Sequence, residues 1–256
     1  MPTPTVIKQY QYSDAINRRF WDEKYQYFNW PDYEPVTAKK AGGAAGGTAG
    51  DENLMITPQG QLEYHILGTQ TILAPSLVSI SEGVSALNIS MDQTDNDGVE
   101  VCAGIMNSNR CAFKVADDAA FFFRVRFSIA DVSGTDDCAI GFRKVEAYQA
   151  NLDDYADMAV LNVISGDINI ETIKGGAATV TTDTTDNWAN TETHELKVLV
   201  DADGAATYQI DGAAPTVTAA YSFTADLFVV PFFYFLHDTD VAGEVNILEW
   251  ECGYQS

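Results

Sequence analysis

The chain has 256 residues, of which 46% are hydrophobic and 20% charged, and a formal net charge of −23. That length holds one large domain with an appendage, and about 200 residues bury enough apolar surface to need no disulfide or metal. The acidity excludes nucleic acid as a partner, because phosphate binding needs clustered Lys and Arg, and it disfavours membrane contact.

The charge is uneven. The first forty residues carry six basic and five acidic side chains, and the remainder carry eight and thirty-two. Met1-Pro-Thr-Pro-Thr has neither a basic start nor an apolar core, so no signal peptide is expected. The longest apolar run, 227–236, contains Pro231 and is half the roughly 20 residues a spanning helix needs. Cys102, Cys111, Cys138 and Cys252 form no Cys-x-x-Cys pair and have no His at zinc-ligand spacing. They read as buried free thiols of a chain made in a reducing cytoplasm.

Residues 1–40 form an arm unlike the rest. Tyr10, Tyr12, Phe20, Trp21, Tyr25, Tyr27, Phe28, Trp30 and Tyr33 are interleaved with Lys8, Arg18, Arg19 and Lys24. Ser13-Asp-Ala-Ile is placed to cap a short helix from Asp14 to about Tyr25. Aromatics with Arg are the composition of protein–protein hot spots. The arm is too short for a core of its own, so it covers either a partner or this chain's own domain. We take Tyr10, Tyr12, Arg18, Arg19, Phe20, Trp21, Tyr25, Tyr27, Phe28, Trp30 and Tyr33 as candidate partner-binding residues. Ala41–Gly50 is a Gly/Ala linker by composition.

From 51 to 256 short apolar runs alternate with turn signals. Leu54-Met-Ile, Tyr64-His-Ile-Leu, Thr71-Ile-Leu-Ala, Leu77-Val-Ser-Ile and Ala86-Leu-Asn-Ile-Ser are candidate strands. Asp92-Gln-Thr-Asp95-Asn-Asp97-Gly98 is the most acidic loop. Phe121–Ile129 alternates Phe123, Val125, Phe127 and Ile129 against Arg124, Arg126 and Ser128. Met158–Ile164 and Asp167–Ile173 flank a turn at Ser165-Gly166. Asp153-Asp154, Asp157 and Asp183-Thr-Thr-Asp186 read as solvated clusters. Val229-Val-Pro-Phe-Phe-Tyr and Val245-Asn-Ile-Leu-Glu-Trp-Glu complete the strands.

His194 to Gly212 is the clearest element. Leu196, Val198 and Val200 alternate, Asp201-Ala-Asp-Gly204 turns, Thr207, Tyr208 and Ile210 return, and Asp211-Gly212 turns again. With Trp188 before it, this stretch resembles the central hairpin of concanavalin A-like (laminin G-like) jelly rolls. The likeness runs from about Phe121 to Tyr254. It implies an all-β jelly-roll sandwich over 51–256 with an extended N-terminal arm. Members of that fold bind sugars, cleave them, or are purely structural, so function has to come from the site.

Glucanases of that class carry Glu-x-Asp-x-(x)-Glu on one strand, which puts three carboxylates on one face. Glu-x-Asp occurs nowhere here; Glu244-Val-Asn-Ile-Leu-Glu249 has Asn246 where the Asp belongs. We therefore assign no catalytic residue. Asp92, Asp95 and Asp97 are the candidate Ca²⁺ ligands, although Gln93 and Gly104 fall where a calcium loop needs carboxylates; the competing reading is a solvated turn. His65, His194 and His237 share no motif. Asn88-Ile-Ser90 is a short glycosylation sequon, and no phosphate-binding loop is present.

Two functions follow. The segments Asp92–Glu100 and Val229–Tyr234 resemble sandwich proteins that decorate or cement the heads of tailed bacteriophages. That resemblance implies a non-enzymatic virion protein on the capsid surface, often trimeric, whose arm clamps the major capsid protein. The alternative is a lectin-like carbohydrate-binding or adhesion module, or a fibre or tail component; the mark of sugar binding would be exposed aromatics such as Tyr148, Tyr155 or Trp188 beside Asp and Asn.

Overall fold

The computed structural model describes residues 26–29, 36–39, 52–57, 60–68, 76–81, 84–89, 95–102, 112–238 and 244–255. The first six strands are β1 (Gln26–Asn29), β2 (Val36–Lys39), β3 (Glu52–Thr57), β4 (Gly60–Leu67), β5 (Ser76–Ser81) and β6 (Val84–Ile89). Next come β7 (Gly98–Cys102), β8 (Phe113–Lys114), β9 (Phe121–Ile129), β10 (Thr135–Lys144), β11 (Met158–Ile164) and β12 (Asp167–Ile173). The last six are β13 (Val180–Asn187), β14 (Thr193–Val200), β15 (Ala205–Ile210), β16 (Tyr221–Ser222), β17 (Phe228–His237) and β18 (Val245–Tyr254). Two 3₁₀ turns, Val132–Gly134 and Leu152–Asp154, are the only helical pieces among the described residues.

The strands form two antiparallel sheets stacked as a jelly-roll sandwich. The eight-stranded sheet runs β16-β15-β14-β9-β18-β6-β5, with β1 also on β18. The ten-stranded sheet runs β13-β12-β11-β10-β17-β7-β4-β3-β2, with β8 also on β17. Local chemistry sets the hairpins. Ser165 and Gly166 both have positive φ, as a two-residue primed turn requires, and they close β11 onto β12. Asp201 accepts hydrogen bonds from the N–H groups of Asp203 and Ala205, which fixes the turn from β14 to β15. His194 Nδ1 lies 2.7 Å from Asp211 Oδ2 and ties the far end of that hairpin.

The core lies between the sheets. In β9, Phe123, Val125, Phe127 and Ile129 are fully buried while Arg126 is exposed, as the alternation predicts. Phe113 stacks on Phe121 at 4.5 Å, Phe123 meets Trp250 at 4.5 Å, and Phe127 contacts both Trp188 and Phe233. Each such ring contributes about 2 kcal/mol through burial. Three cysteines, Cys102, Cys138 and Cys252, are buried free thiols.

Both β17 and β18 share one edge between two strands placed end to end. Along β17, β8 pairs Phe228 and Val229, and β7 pairs Phe232 to Leu236. Pro231 falls in the break between them, where a strand tolerates a residue with no N–H. Along β18, β6 pairs Val245 to Ile247 and β1 pairs Glu249 to Cys252. The arm expected over 1–40 thus contributes two strands, β1 and β2, to the sandwich itself. Their main-chain groups find partners on the sheet edges. The helix expected from Asp14, the Thr71-Ile-Leu-Ala strand and the whole Gly/Ala linker lie outside the described residues.

Candidate functional site

The ten-stranded sheet buries one apolar cluster on its inner face, and on its other face polar side chains lie beside a second buried cluster that includes Val160, Phe232 and Leu236. Register makes the pattern explicit. Asp183, Asn169, Asn162, Ala139, Tyr234, Glu100 and His65 are successive Cα partners from β13 to β4, so their side chains share that outer face. A polar row crosses the sheet, and the connection 145–157 covers the half formed by β17, β7 and β4.

In the covered half, Glu100 and Arg143 form a fully buried ion pair. Arg143 donates to Glu100 Oε1 through Nε at 2.8 Å and through Nη2 at 2.5 Å. Tyr155 donates its hydroxyl to Glu100 Oε2, and Cys102 Sγ donates to Oε1 at 2.9 Å. Arg143 lies 4.7 Å over the Tyr155 ring, and its Nη1 donates to the carbonyls of Lys144 and Glu146. Burial opposes ionisation of Glu100, yet Arg143 and these donors hold its carboxyl below the usual range. Burial and the Glu100 charge push the Cys102 thiol and the Tyr155 hydroxyl up. Tyr148 stacks on His65 at 4.8 Å, and Tyr234 donates to the Ala150 carbonyl at 2.6 Å. These contacts hold 145–157 down on the sheet. This half is a closed polar core.

The other half centres on Asn162, which is fully buried; Glu171 is 5% exposed, Asp137 is part-exposed and Thr181 is exposed. The Asn162 carbonyl accepts the Cys138 N–H at 2.9 Å, which orients the amide. Its Nδ2 then donates to Asp137 Oδ1 at 2.5 Å and to Glu171 Oε2 at 2.8 Å. Thr181 donates to Glu171 Oε1 at 2.8 Å. Burial pushes Asp137 up to about 7, against the donation from Asn162 and with the help of Glu171. Burial raises Glu171 as well. Asp136 is exposed beside them and also raised, by burial and by Asp238. Asp153 accepts from Thr179 at 2.6 Å on the rim. Among the described residues no ion pair involves Asp137 or Glu171. Chemically this is a fixed array of hydrogen-bond acceptors with a neutral-pH titration at its centre.

Several of the expected site residues are buried or part-covered. Asp95 is exposed in a turn whereas Asp97 is 1% exposed. Asp97 is packed against Gly68, where a Cβ would lie 1.9 Å from its Oδ1. Asp92 lies outside the described residues, and among those described no group of three His, Cys, Asp or Glu is placed to hold a metal. Trp188 and Tyr155 are buried in the two apolar clusters and Tyr148 is covered in part by its own sheet, so none offers a free ring to a sugar. Asp183 and Asp186 sit on an edge strand, β13.

Of the arm residues, Tyr27 and Phe28 lie in β1 against β18 of the same chain. Tyr27 is half-buried, and burial with the nearby Glu249 pushes its hydroxyl up. Tyr10, Tyr12, Arg18, Arg19, Phe20, Trp21, Tyr25, Trp30 and Tyr33 lie outside the described residues. Asp137, Asn162 and Glu171 escaped sequence reasoning. The signal was present in Asp167-Ile-Asn-Ile-Glu, where polar residues hold one parity of a strand.

No family model matches the sequence, and no curated protein matches it significantly. Solved structures do match. The carbohydrate recognition domain of Emp47p is 13% identical with a TM-score of 0.48, over 75% of this chain and 89% of that one. The alginate lyase from Corynebacterium sp. is 11% identical with a TM-score of 0.48, over 72% and 82%. Caenorhabditis elegans galectin LEC-6 is 10% identical with a TM-score of 0.35, over 60% and 96%. At this level the likenesses carry no argument about ligand or activity.

Proposed function

We propose that this chain is a non-catalytic, carbohydrate-binding module that takes a hydroxyl-rich glycan over the ten-stranded sheet where Asp137 and Thr181 reach solvent. The observation that carries this reading is the Asp137–Asn162–Glu171–Thr181 array. Its acceptors are set on rigid strands by one oriented amide, and they face a rim of Asp136 and Asp153. Sugar hydroxyls are donors that such acceptors satisfy. The acidic rim selects neutral glycans over sialylated or uronic ones. A glycan array with the full chain tests it. Neutral glycans should bind, and Asp137→Ala should abolish the signal while circular dichroism stays unchanged. No retained glycan, or binding that ignores Asp137, would overturn the reading.

A second reading rests on the N-terminal sequence. The aromatic, Arg-bearing stretch before β1 suits docking on a shell protein, with the acidic sandwich facing solvent. The chain then decorates a phage capsid, in trimers on the major capsid protein, as part of the virion. Deleting residues 1–25 leaves β1 in place and should abolish decoration of particles without unfolding the sandwich. Undiminished decoration by the truncated chain would remove this reading. A ratio near one copy per shell subunit, by quantitative mass spectrometry of particles, would support it.

A further inference from the structure

The edge of β18 is completed by a strand from far away in sequence. β6 covers only Val245 to Ile247, so the main chain of Glu249 to Cys252 would be an open edge without β1. Two residues of that stretch, Trp250 and Cys252, belong to the core and are fully buried. An unpaired edge beside core residues is a place where a strand must be supplied. β1 supplies it in antiparallel register, Gln26 on Cys252 through Asn29 on Glu249.

β1 and β2 are both terminal additions. β1 lies on the outer side of β18, and β2 ends the ten-stranded sheet beyond β3. Neither strand is interposed between two others, so the remaining strand order does not depend on which molecule provides them. They are joined to the body through 40–51, which carries five glycines and five alanines or threonines around them. A composition of this kind has no side chains to anchor it and sets little penalty on reaching elsewhere.

We propose that the slot along Glu249–Cys252 accepts β1 from a second copy of this chain, so that copies associate by exchanging their 26–39 segments. The pairing is the same within and between molecules. Exchange therefore needs no new surface and is favoured as concentration rises above the effective concentration set by the connection. Tyr27 goes with the strand. Its Cα partner is Glu251, whose carboxylate accepts from Arg124 Nε at 2.7 Å, so the incoming ring would cover that charged row in either arrangement.

Cysteine trapping tests this on full-length chains. Tyr27→Cys and Glu251→Cys single variants are mixed at high concentration and mildly oxidised. The expected result is a disulfide-linked heterodimer on a non-reducing gel. A Tyr27→Cys plus Lys197→Cys mixture controls for random cross-linking, because Lys197 pairs with Arg124 and Gln209 and not with β1. The double variant Tyr27→Cys/Glu251→Cys should close within one chain when dilute, which establishes that the slot is occupied in this register. Heterodimer no greater than the control, with the double variant closing normally, would overturn the exchange. A double variant that never closes would overturn the slot itself.

Discussion

Asn162 donates to Asp137 at 2.5 Å and uses its other N–H for Glu171. One neutral amide thus spans two carboxylates that burial would otherwise drive to protonate. The neighbours Asp136 and Asp153 add negative charge from outside. The face is held near the point where it gains or loses one proton.

That balance makes stability depend on pH in a stated direction. Asp137 titrates at about 7 in the folded chain, against an ordinary value of 3.8. The folded state holds the extra proton between those values, so this group's contribution is complete below 3.8 and is lost as pH rises to about 7. Asp137→Asn keeps an acceptor for Asn162 and removes the titration. Urea denaturation should show variant and parent alike near the acid end of this window. At pH 8 the variant should be more stable by on the order of 2 kcal/mol. A difference independent of pH would show that Asp137 does not titrate there.

The same proton governs ligand binding. A sugar hydroxyl donates to an ionised Asp137 and competes with the proton. Affinity for a neutral glycan should rise with pH through about 7 and flatten above it. Isothermal titration in buffers of different ionisation heat would detect proton release on binding at pH 6 and none at pH 8.5. Equal affinity at both would separate Asp137 from the ligand.

Arg143→Met tests the covered half. It leaves the Glu100 carboxylate fully buried with Tyr155 and Cys102 as its remaining donors among the described residues. Breaking one side of such a pair costs about 3–5 kcal/mol. The loss should shrink in acid, where Glu100 takes a proton. Replacing both partners, as Arg143→Met with Glu100→Leu, should cost less than the two single losses combined. Additive losses in a double-mutant cycle would mean that the pair is not coupled.

Two glycines should behave oppositely. A Cβ on Gly98 would lie 1.9 Å from the Phe235 carbonyl, in the pairing of β7 with β17. Gly98→Ala should destabilise by about 3 kcal/mol or more, because backbone has to move. Gly212 has a φ of +81° and nothing within 4 Å, so Gly212→Ala should cost only about 1 kcal/mol of backbone strain. Chemical denaturation of the two variants ranks them.

Much of this fold was legible in the chain. β9 and the β14–β15 hairpin have one buried and one wet side, so residues of alternating polarity announce them. β13 was not legible, because Val180-Thr-Thr-Asp-Thr-Thr-Asp-Asn sits at a sheet edge with little to bury on either side. The site was legible only in fragments. Glu100 and Arg143 are 43 residues apart, and only the pairing of β7, β17 and β10 brings them together. Tyr155 and Trp188 misled because aromatic rings beside acidic loops look exposed in sequence and are core in three dimensions.

The break at Pro231 separates two ladders. β7 and β8 lie end to end on the same edge of β17, Gly98 to Cys102 opposite Leu236 to Phe232 and Phe113 and Lys114 opposite Val229 and Phe228. Each register is set by its own main-chain pairs with β17. A sequence change that weakens one ladder therefore leaves the other in step, and β17 acts as a common ruler for two strands that never pair with each other.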